Sequence, residues 1–493
     1  MSQEQMYQLV AIIIYMAVLL AIGWYAYKKT SNLTDYMLGG RSLGPIATAL
    51  SAGAADMSGW LLMGLPGVIY VTGLGKSWMA IGLVVGAYIN WLVVAPRLRA
   101  YTYVNDTITI PSFLEKRLLD KSRLLRIVTG IVILIFFTFY VSSGMVSGGK
   151  FFLSSFGLDY HIGLLVVAAV VIAYTLFGGF LAVSYTDVIQ GTIMFLALIL
   201  VPIVGLTYTG GIAETISTVK NASPLHFSFF EGVTAISIIS SLAWGLGYFG
   251  QPHIIVRFMA IKTIKETRSA RRIGIGWMFL SMLGAVFTAI VGYAYFLQQG
   301  ATLEDPETVF IVLGQIIFHP IIAGVILAAV LSAVMSTISS QLIVTSSALI
   351  EDLYKAFNKA PKSDSYYVFL GRVAVFAVSV VAIMLAWPNN ESVLDLVSFA
   401  WSGFGSAFGP LILLSLYWRK TTSQGAVAGL IVGAVVVFVW EKFKWFELYE
   451  IVPGFLLSLI TIVVVSLITY KPNKEIDETF DAAVAHLHEE MKK

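Results

Sequence analysis

The 493-residue sequence has no cysteine, which excludes disulfides and thiolate metal sites without fixing a compartment. Charge is scarce as well: Asp, Glu, Lys and Arg make up 12% of the chain, against roughly 25% in a soluble domain. The six histidines are scattered, and His486 and His488 lack the HExxH spacing of a zinc hydrolase. No catalytic set emerges, so the chain does not read as an enzyme. Composition shifts, linkers and low-complexity stretches are also missing, which leaves a single membrane domain.

What is present is apolar. Hydrophobic residues make up 58% of the chain and mean hydropathy is +0.84, values that belong to a polytopic membrane protein. Thirteen apolar runs fall at residues 7–27, 45–72, 77–96, 126–154, 161–183, 187–208, 233–256, 273–298, 319–349, 366–387, 391–417, 421–440 and 450–470, each near the roughly 20 residues that span a bilayer. The first lacks a basic leader and a small-residue cleavage site, so it is expected to be retained. If the loops alternate sides, Lys76, Lys150, Lys220, Lys442 and Lys444 lie on one side and the other 26 of the 31 basic residues on the opposite one. The positive-inside rule then puts the N-terminus outside a plasma membrane and the tail, residues 471–493, in the cytoplasm.

The second run carries Ser51-Ala-Gly-Ala-Ala-Asp-Met-Ser-Gly-Trp60, with Asp56 at its centre and no Lys, Arg or second carboxylate between Ile46 and Tyr70. A charge at the bilayer centre costs about 2.5 kcal/mol or more, so a carboxylate kept there is expected to face a hydrated path or a cation. Gly53 and Gly59 flank it and weaken the helix by about 1 kcal/mol each relative to alanine. Carboxylate and weak backbone together point to a discontinuous helix. The plainer alternative is a glycine packing surface with a protonated or snorkelling Asp.

The seventh run is interrupted in the same way by Trp244-Gly-Leu-Gly-Tyr-Phe-Gly-Gln-Pro252. It lies five spans after the second, so the two cross in opposite directions, as the first helices of two inverted five-helix repeats must. Paired interruptions of this kind mark a transporter's binding site. In the ninth run, Ala333, Ser336 and Thr337 stand at i, i+3 and i+4, which puts one carbonyl and two hydroxyls on one helix face. Oxygen donors suit a hard cation such as sodium, although membrane serines also bond their own backbone or neighbouring helices. Tyr140, Trp60, Trp244 and Tyr248 offer apolar faces with polar tips, suited to enclosing a small ring.

Other apparent motifs carry less. Gly144 to Lys150 fits GxxxxGK, but Phe151 replaces the magnesium-binding hydroxyl and no strand precedes it. Gly425, Gly429 and Gly433 form a stripe best read as a close helix contact. Nothing points to a nucleic-acid partner, and no oligomeric state is implied.

Together these pieces resemble the sodium:solute symporter family, and within it the sodium/proline symporter branch. The resemblance spans nearly the whole chain and rests on Asp35 to Arg41, Ser51 to Trp60, Tyr174 to Ala182 with Asp187, Trp244 to Pro252, and Met335 to Ser339 followed by Glu351 to Tyr354. It implies an all-α fold of about 13 transmembrane helices with a leucine-transporter type core. Residues 1–43 hold an extra helix and the first cytoplasmic loop, 44–210 and 211–420 the two inverted repeats, 421–470 two further helices, and 471–493 the tail. The implied sodium ligands are the carbonyls of Ala54, Met57 and Ala333 and the hydroxyls of Ser336 and Thr337. The implied L-proline site comprises Asp56, Ser58, Gly59, Trp60, Tyr140, Trp244, Tyr248 and Pro252, with Arg41, Asp56 and Asp187 tied to coupling. No cofactor besides the coupling ion is implied. Another solute of the same family, such as a different amino acid, a betaine-like osmolyte or a carboxylate, is the main alternative. A channel would need a continuous pore, and a sensor would need an appended domain.

Overall fold

The computed structural model describes residues 2–358, 360–389 and 392–492. Residues 1, 391 and 493, which open or close expected segments, lie outside the described residues. Every backbone polar group in a bilayer must find its partner within the protein, so apolar runs fold as helices. Among the described residues there is no strand, and one isolated parallel bridge joins Leu43 to Ile261.

The chain opens with α1 (Gln3–Lys29), followed by α2 (Pro45–Asp56) and α3 (Trp60–Thr72), which meet at a bend of 62°. Next come α4 (Leu74–Val104), α5 (Leu124–Phe156) and α6 (Tyr160–Tyr208). A second interrupted pair, α7 (Ala235–Gly250) and α8 (Pro252–Ala260), precedes α9 (Glu266–Gln298) and α10 (Pro320–Phe357). The remaining helices are α11 (Asp364–Ala386), α12 (Val393–Tyr417), α13 (Ser423–Phe443), α14 (Ile451–Thr469) and α15 (Lys474–Lys492).

Among the described residues, ten helices are long and apolar enough to cross a membrane, or eleven with α2 and α3 taken as one span. That measure does not return the thirteen expected from the apolar runs. One difference lies in α6, 49 residues in two helical stretches with no loop at residues 184–186, where one was expected. Its bend falls earlier, at Gly179 (φ 60°, ψ −152°). Only glycine suits that point, because a Cβ there would stand 2.8 Å from the Tyr36 carbonyl oxygen. A second difference is the brevity of α7 and α8.

The most apolar stretch of α10 is 83% buried and that of α13 only 28%, so α10 forms the centre of the bundle and α13 its rim. α10 packs on α1, α5 and α6. The stripe of Gly425, Gly429 and Gly433 is an internal contact: added Cβ atoms would strike Ser466 and Ile462 of α14 and Ser406 of α12. Where helices sit in lipid, such close approach supplies the packing energy that the hydrophobic effect does not. Near the end of α5, Lys150 forms ion pairs with Glu307 (2.8 Å) and Asp305 (3.2 Å), a structural use of the apparent phosphate-loop lysine.

The tail, expected only as a polar end, forms the helix α15. Its Phe480 ring packs on Tyr101 at 5.9 Å, with the Arg117 guanidinium 5.2 Å away. Arg41, Arg99, Arg117 and Arg126 gather on this end of the bundle, called the basic face below.

Candidate functional site

Two helix breaks define the centre of the molecule. α2 stops at Asp56, and Met57 leaves the helical region with ψ at 76°. Ser58 N–H then bonds the Asp56 carbonyl (2.9 Å), and Trp60 Nε1 donates to the same oxygen (3.1 Å). Trp60, fully buried, thus ties the two sides of the break together. Ser58 Oγ accepts from the Trp60 N–H at 3.5 Å. Gly59 lies against α5, where a Cβ would stand 2.5 Å from Ser147 Oγ. The first turn of α3, Trp60–Gly64, winds as a π-helix, a distortion frequent at functional sites.

The second break has a different construction. Ala243–Gly250 tightens into a 3-10 helix, Gln251 is extended, and Pro252 starts α8. Proline suits that first position because it has no N–H to leave unpaired. Trp401 of α12 braces the break: its Nε1 donates to the Trp244 carbonyl (2.8 Å) and its own carbonyl accepts from Gln251 Nε2 (3.1 Å).

α10 meets the first break with its hydroxyls. Ser336 Oγ is 2.6 Å and Thr337 Oγ1 3.4 Å from the Ala54 carbonyl oxygen. Both hydroxyls also reach the Ala333 carbonyl, at 3.3 and 3.1 Å. Two carbonyls and two hydroxyls from helices 282 residues apart at Ala54 and Ser336 therefore converge on one point. Met57, the non-helical residue of the break, lines a cavity on the Asp56 side.

Asp56 faces the other way. Its Oδ2 accepts a hydrogen bond from Tyr248 on α7, and its Oδ1 has no partner among the described residues. Together with Asn90, Trp91 and Met278 the pair lines a cavity of about 20 Å³, room for a single water-sized body. Both amide atoms of Asn90 are buried and have no hydrogen-bond partner among the described residues. Tyr248 stands edge-on to Trp401 at 5.0 Å, and Tyr140 edge-on to His253 at 5.6 Å. Trp244 belongs to the side away from the basic face. It stacks on Tyr449 at 5.2 Å and lines a cavity of about 430 Å³ with Ser240, Ser241 and Glu450. The expected aromatics therefore stand on two levels, bridged by Trp401, rather than around one closed pocket.

Asp187 sits elsewhere again. On α6, fully buried, it pairs with the equally buried Arg257 of α8 at 3.3 Å and accepts from Ser51 Oγ at 2.6 Å. Arg257 also donates to Ser51 Oγ (3.1 Å), Ser340 Oγ (2.6 Å) and the His253 carbonyl. This network joins α2, α6, α8 and α10. Arg41 is at the basic face, where it donates to the carbonyls of Met259 (3.3 Å), Thr102 (3.2 Å) and Thr107. Burial, reinforced by the neighbouring Arg99 guanidinium, pulls Arg41 down to about 10. It clasps the end of α8 and does not touch the central break.

With this geometry in view, the sequence profile described as "Sodium:solute symporter family" matches residues 36–433. The chain belongs to the sodium:solute symporter family. Among family relatives, it is 60% identical over 465 residues to the high-affinity proline transporter PutP of Bacillus subtilis (strain 168), covering 94% of this chain and 98% of that one. It is 55% identical to the osmoregulated proline transporter OpuE of the same organism, over 94% of each chain. It is 52% identical to sodium/proline symporter 2 of Staphylococcus saprophyticus, over 96% of this chain and 95% of that one. Among solved structures, a Na+-coupled sialic acid symporter in a substrate-bound outward-open state superposes with a TM-score of 0.79 at 19% identity, covering 95% and 99% of the two chains. Mhp1, a nucleobase-cation-symport-1 family transporter, superposes at 0.56 and 13% identity, covering 92% and 99%. The family fold is thus all-α and of leucine-transporter type.

Sequence reasoning about this family member passed over Asn90, Arg257, Trp401 and Tyr449. Asn90 had a readable signal, an amide in the middle of an apolar run. Arg257 had one too, since it follows directly on the run that ends at 256.

Proposed function

We propose that this chain is a secondary active transporter that couples sodium entry to uptake of L-proline by alternating access. The observation that carries the reading is the convergence of Ser336 and Thr337 on the Ala54 carbonyl at a broken helix. Carbonyl and hydroxyl oxygens are hard, neutral donors and replace part of a sodium ion's hydration shell. We assign the sodium seat to the carbonyls of Ala54, Met57 and Ala333 with the two hydroxyls.

Asp56 then acts beside the ion rather than on it. Its free Oδ1 is the acceptor for the substrate's ammonium, with Ser58 next to it. Trp60, Tyr140, Tyr248 and Pro252 supply the walls for the ring on the level of Asp56, Trp244 a wall on the level of the larger cavity, and Gly59 lets α3 approach α5. Arg41 and Asp187 act at a distance, through the end of α8 and through Arg257. The breaks are the first helices of inverted repeats over residues 44–210 and 211–420. The basic face is cytoplasmic and the N-terminus outside, as the loop charges favour. Sodium in its seat draws α2 and α10 together, and each positive charge moved down 100 mV yields about 2.3 kcal/mol for uptake.

The test is uptake of labelled L-proline into proteoliposomes under an imposed sodium gradient. Saturable uptake that stops when choline replaces sodium, with counterflow, is expected. Uptake indifferent to sodium, or stronger competition by a betaine or a carboxylate than by proline, would overturn the assignment.

A further inference from the structure

Three buried carboxylates, Asp56, Asp187 and Asp352, each keep one oxygen without a hydrogen-bond partner among the described residues. The first two have been accounted for. Asp352 lies where the end of α10, Ala348–Tyr354, winds as a π-helix. Its Oδ1 accepts from Thr109 Oγ1 at 2.9 Å and from Arg126 Nε at 3.1 Å, whereas Oδ2 is free.

Arg126 also binds Glu115 at 2.9 Å and Glu351 at 3.1 Å, and Lys355 pairs with Glu351. Three carboxylates therefore share two cations, and the cluster is one positive charge short. A buried carboxylate in such a deficit is costly unless a further cation or donor reaches it.

A cavity of about 20 Å³ lies between this cluster and the second break. Asp352 forms one end, Pro252 at the second break lies in the wall, and Ile133, Val256, Val344 and Ser347 complete it. The space suits one water-sized polar group, and its walls are otherwise largely apolar. A small zwitterion with an apolar ring needs both features on leaving Asp56: a carboxylate for its ammonium and apolar walls for its ring.

We propose that this cavity is a second, transient binding station for the ammonium group of the transported amino acid, with Asp352 Oδ2 as its acceptor and Arg126 as the gate toward the basic face. The inference rests on the transport reading above. The ammonium exchanges one carboxylate for another instead of crossing the apolar wall unpaired. On arrival it competes with Arg126 for Asp352. Its charge draws on the carboxylate, so the bonds that Arg126 and Thr109 make to Oδ1 weaken while the guanidinium retains Glu115 and Glu351.

The cysteine-free chain makes the test clean, because Ser347→Cys introduces a single thiol into the cavity wall. Labelling by a membrane-impermeant cationic methanethiosulfonate is followed from the basic face in inverted vesicles. Sodium with saturating proline is expected to slow labelling, and Arg126→Gln to speed it by about tenfold or more as its charge-assisted bonds are lost. Asp352→Asn is expected to lower uptake turnover by about tenfold with a much smaller change in half-saturating proline, and Asp352→Glu to recover part of it. Labelling of S347C that ignores both proline and Arg126→Gln overturns the inference. So does an Asp352→Asn protein with wild-type turnover. Should the gate variants aggregate, proline protection in S347C alone decides. Wild-type protein without sodium-driven proline uptake would overturn the transport reading itself, a result that the uptake control separates from failure of the station.

Discussion

Tyr248 at the second helix break donates its phenolic hydrogen bond to Asp56 at the first. Each break therefore holds one end of the same bond, and any motion that parts the two breaks must break it. Tyr248→Phe leaves both Asp56 oxygens unpartnered in a buried site, a loss of about 1–3 kcal/mol. The expected outcome is a weaker apparent proline affinity by about tenfold or more, with sodium half-saturation shifted far less. A proline titration of uptake at fixed saturating sodium reads the effect, and an unshifted curve removes Asp56 and Tyr248 from the substrate site.

The hydroxyl pair on α10 predicts the opposite selectivity. Ser336→Ala with Thr337→Ala removes two oxygens converging on the Ala54 carbonyl. A hydrogen bond or ligand contact to a charged group is worth about 1.5–3 kcal/mol, so sodium half-saturation should rise about a hundredfold or more in the double variant. Uptake measured across sodium concentrations checks this. Wild-type sodium dependence would place the ion elsewhere.

Arg257 and Asp187 are both fully buried and 3.3 Å apart. Removing one member of such a pair leaves an uncompensated charge and costs about 3–5 kcal/mol. Arg257→Gln and Asp187→Asn should each lower the thermal unfolding midpoint in detergent, and the double variant should recover much of the loss. Single variants that melt with the wild type would mean that the pair carries little of the fold.

The residues legible in the sequence were those that disturb an apolar background. Asp56, the glycines around it, Pro252 and the hydroxyls of α10 stand out in runs otherwise built from Leu, Ile, Val and Ala. The bend in α6 was misplaced because polar residues at 184–186 looked like a loop, whereas the chain turns where Gly179 meets Tyr36. Arg257 was counted with the loop charges because the apolar run ends one residue before it, although its side chain is fully buried. Trp401 belongs to an unbroken helix and Tyr449 to the connection before α14, and their contacts with Trp244 span more than 150 residues. No local pattern encodes a partner at that distance. Arg41 was recognisable by motif, but its clasp on Met259 lies 218 residues away.

The parallel bridge between Leu43 and Ile261 has a mechanical meaning. Leu43 N–H bonds the Ala260 carbonyl at 3.2 Å, and Lys262 N–H bonds the Leu43 carbonyl at 2.9 Å. These bonds sit just before α2 and just after α8, and Arg41 and Arg99 brace the same junction. The basic-face halves of the two broken helices are thereby yoked at their outer ends and free of covalent helix at their inner ends. They are tied as one unit at that end, so α2 and α8 part there only if these bonds break.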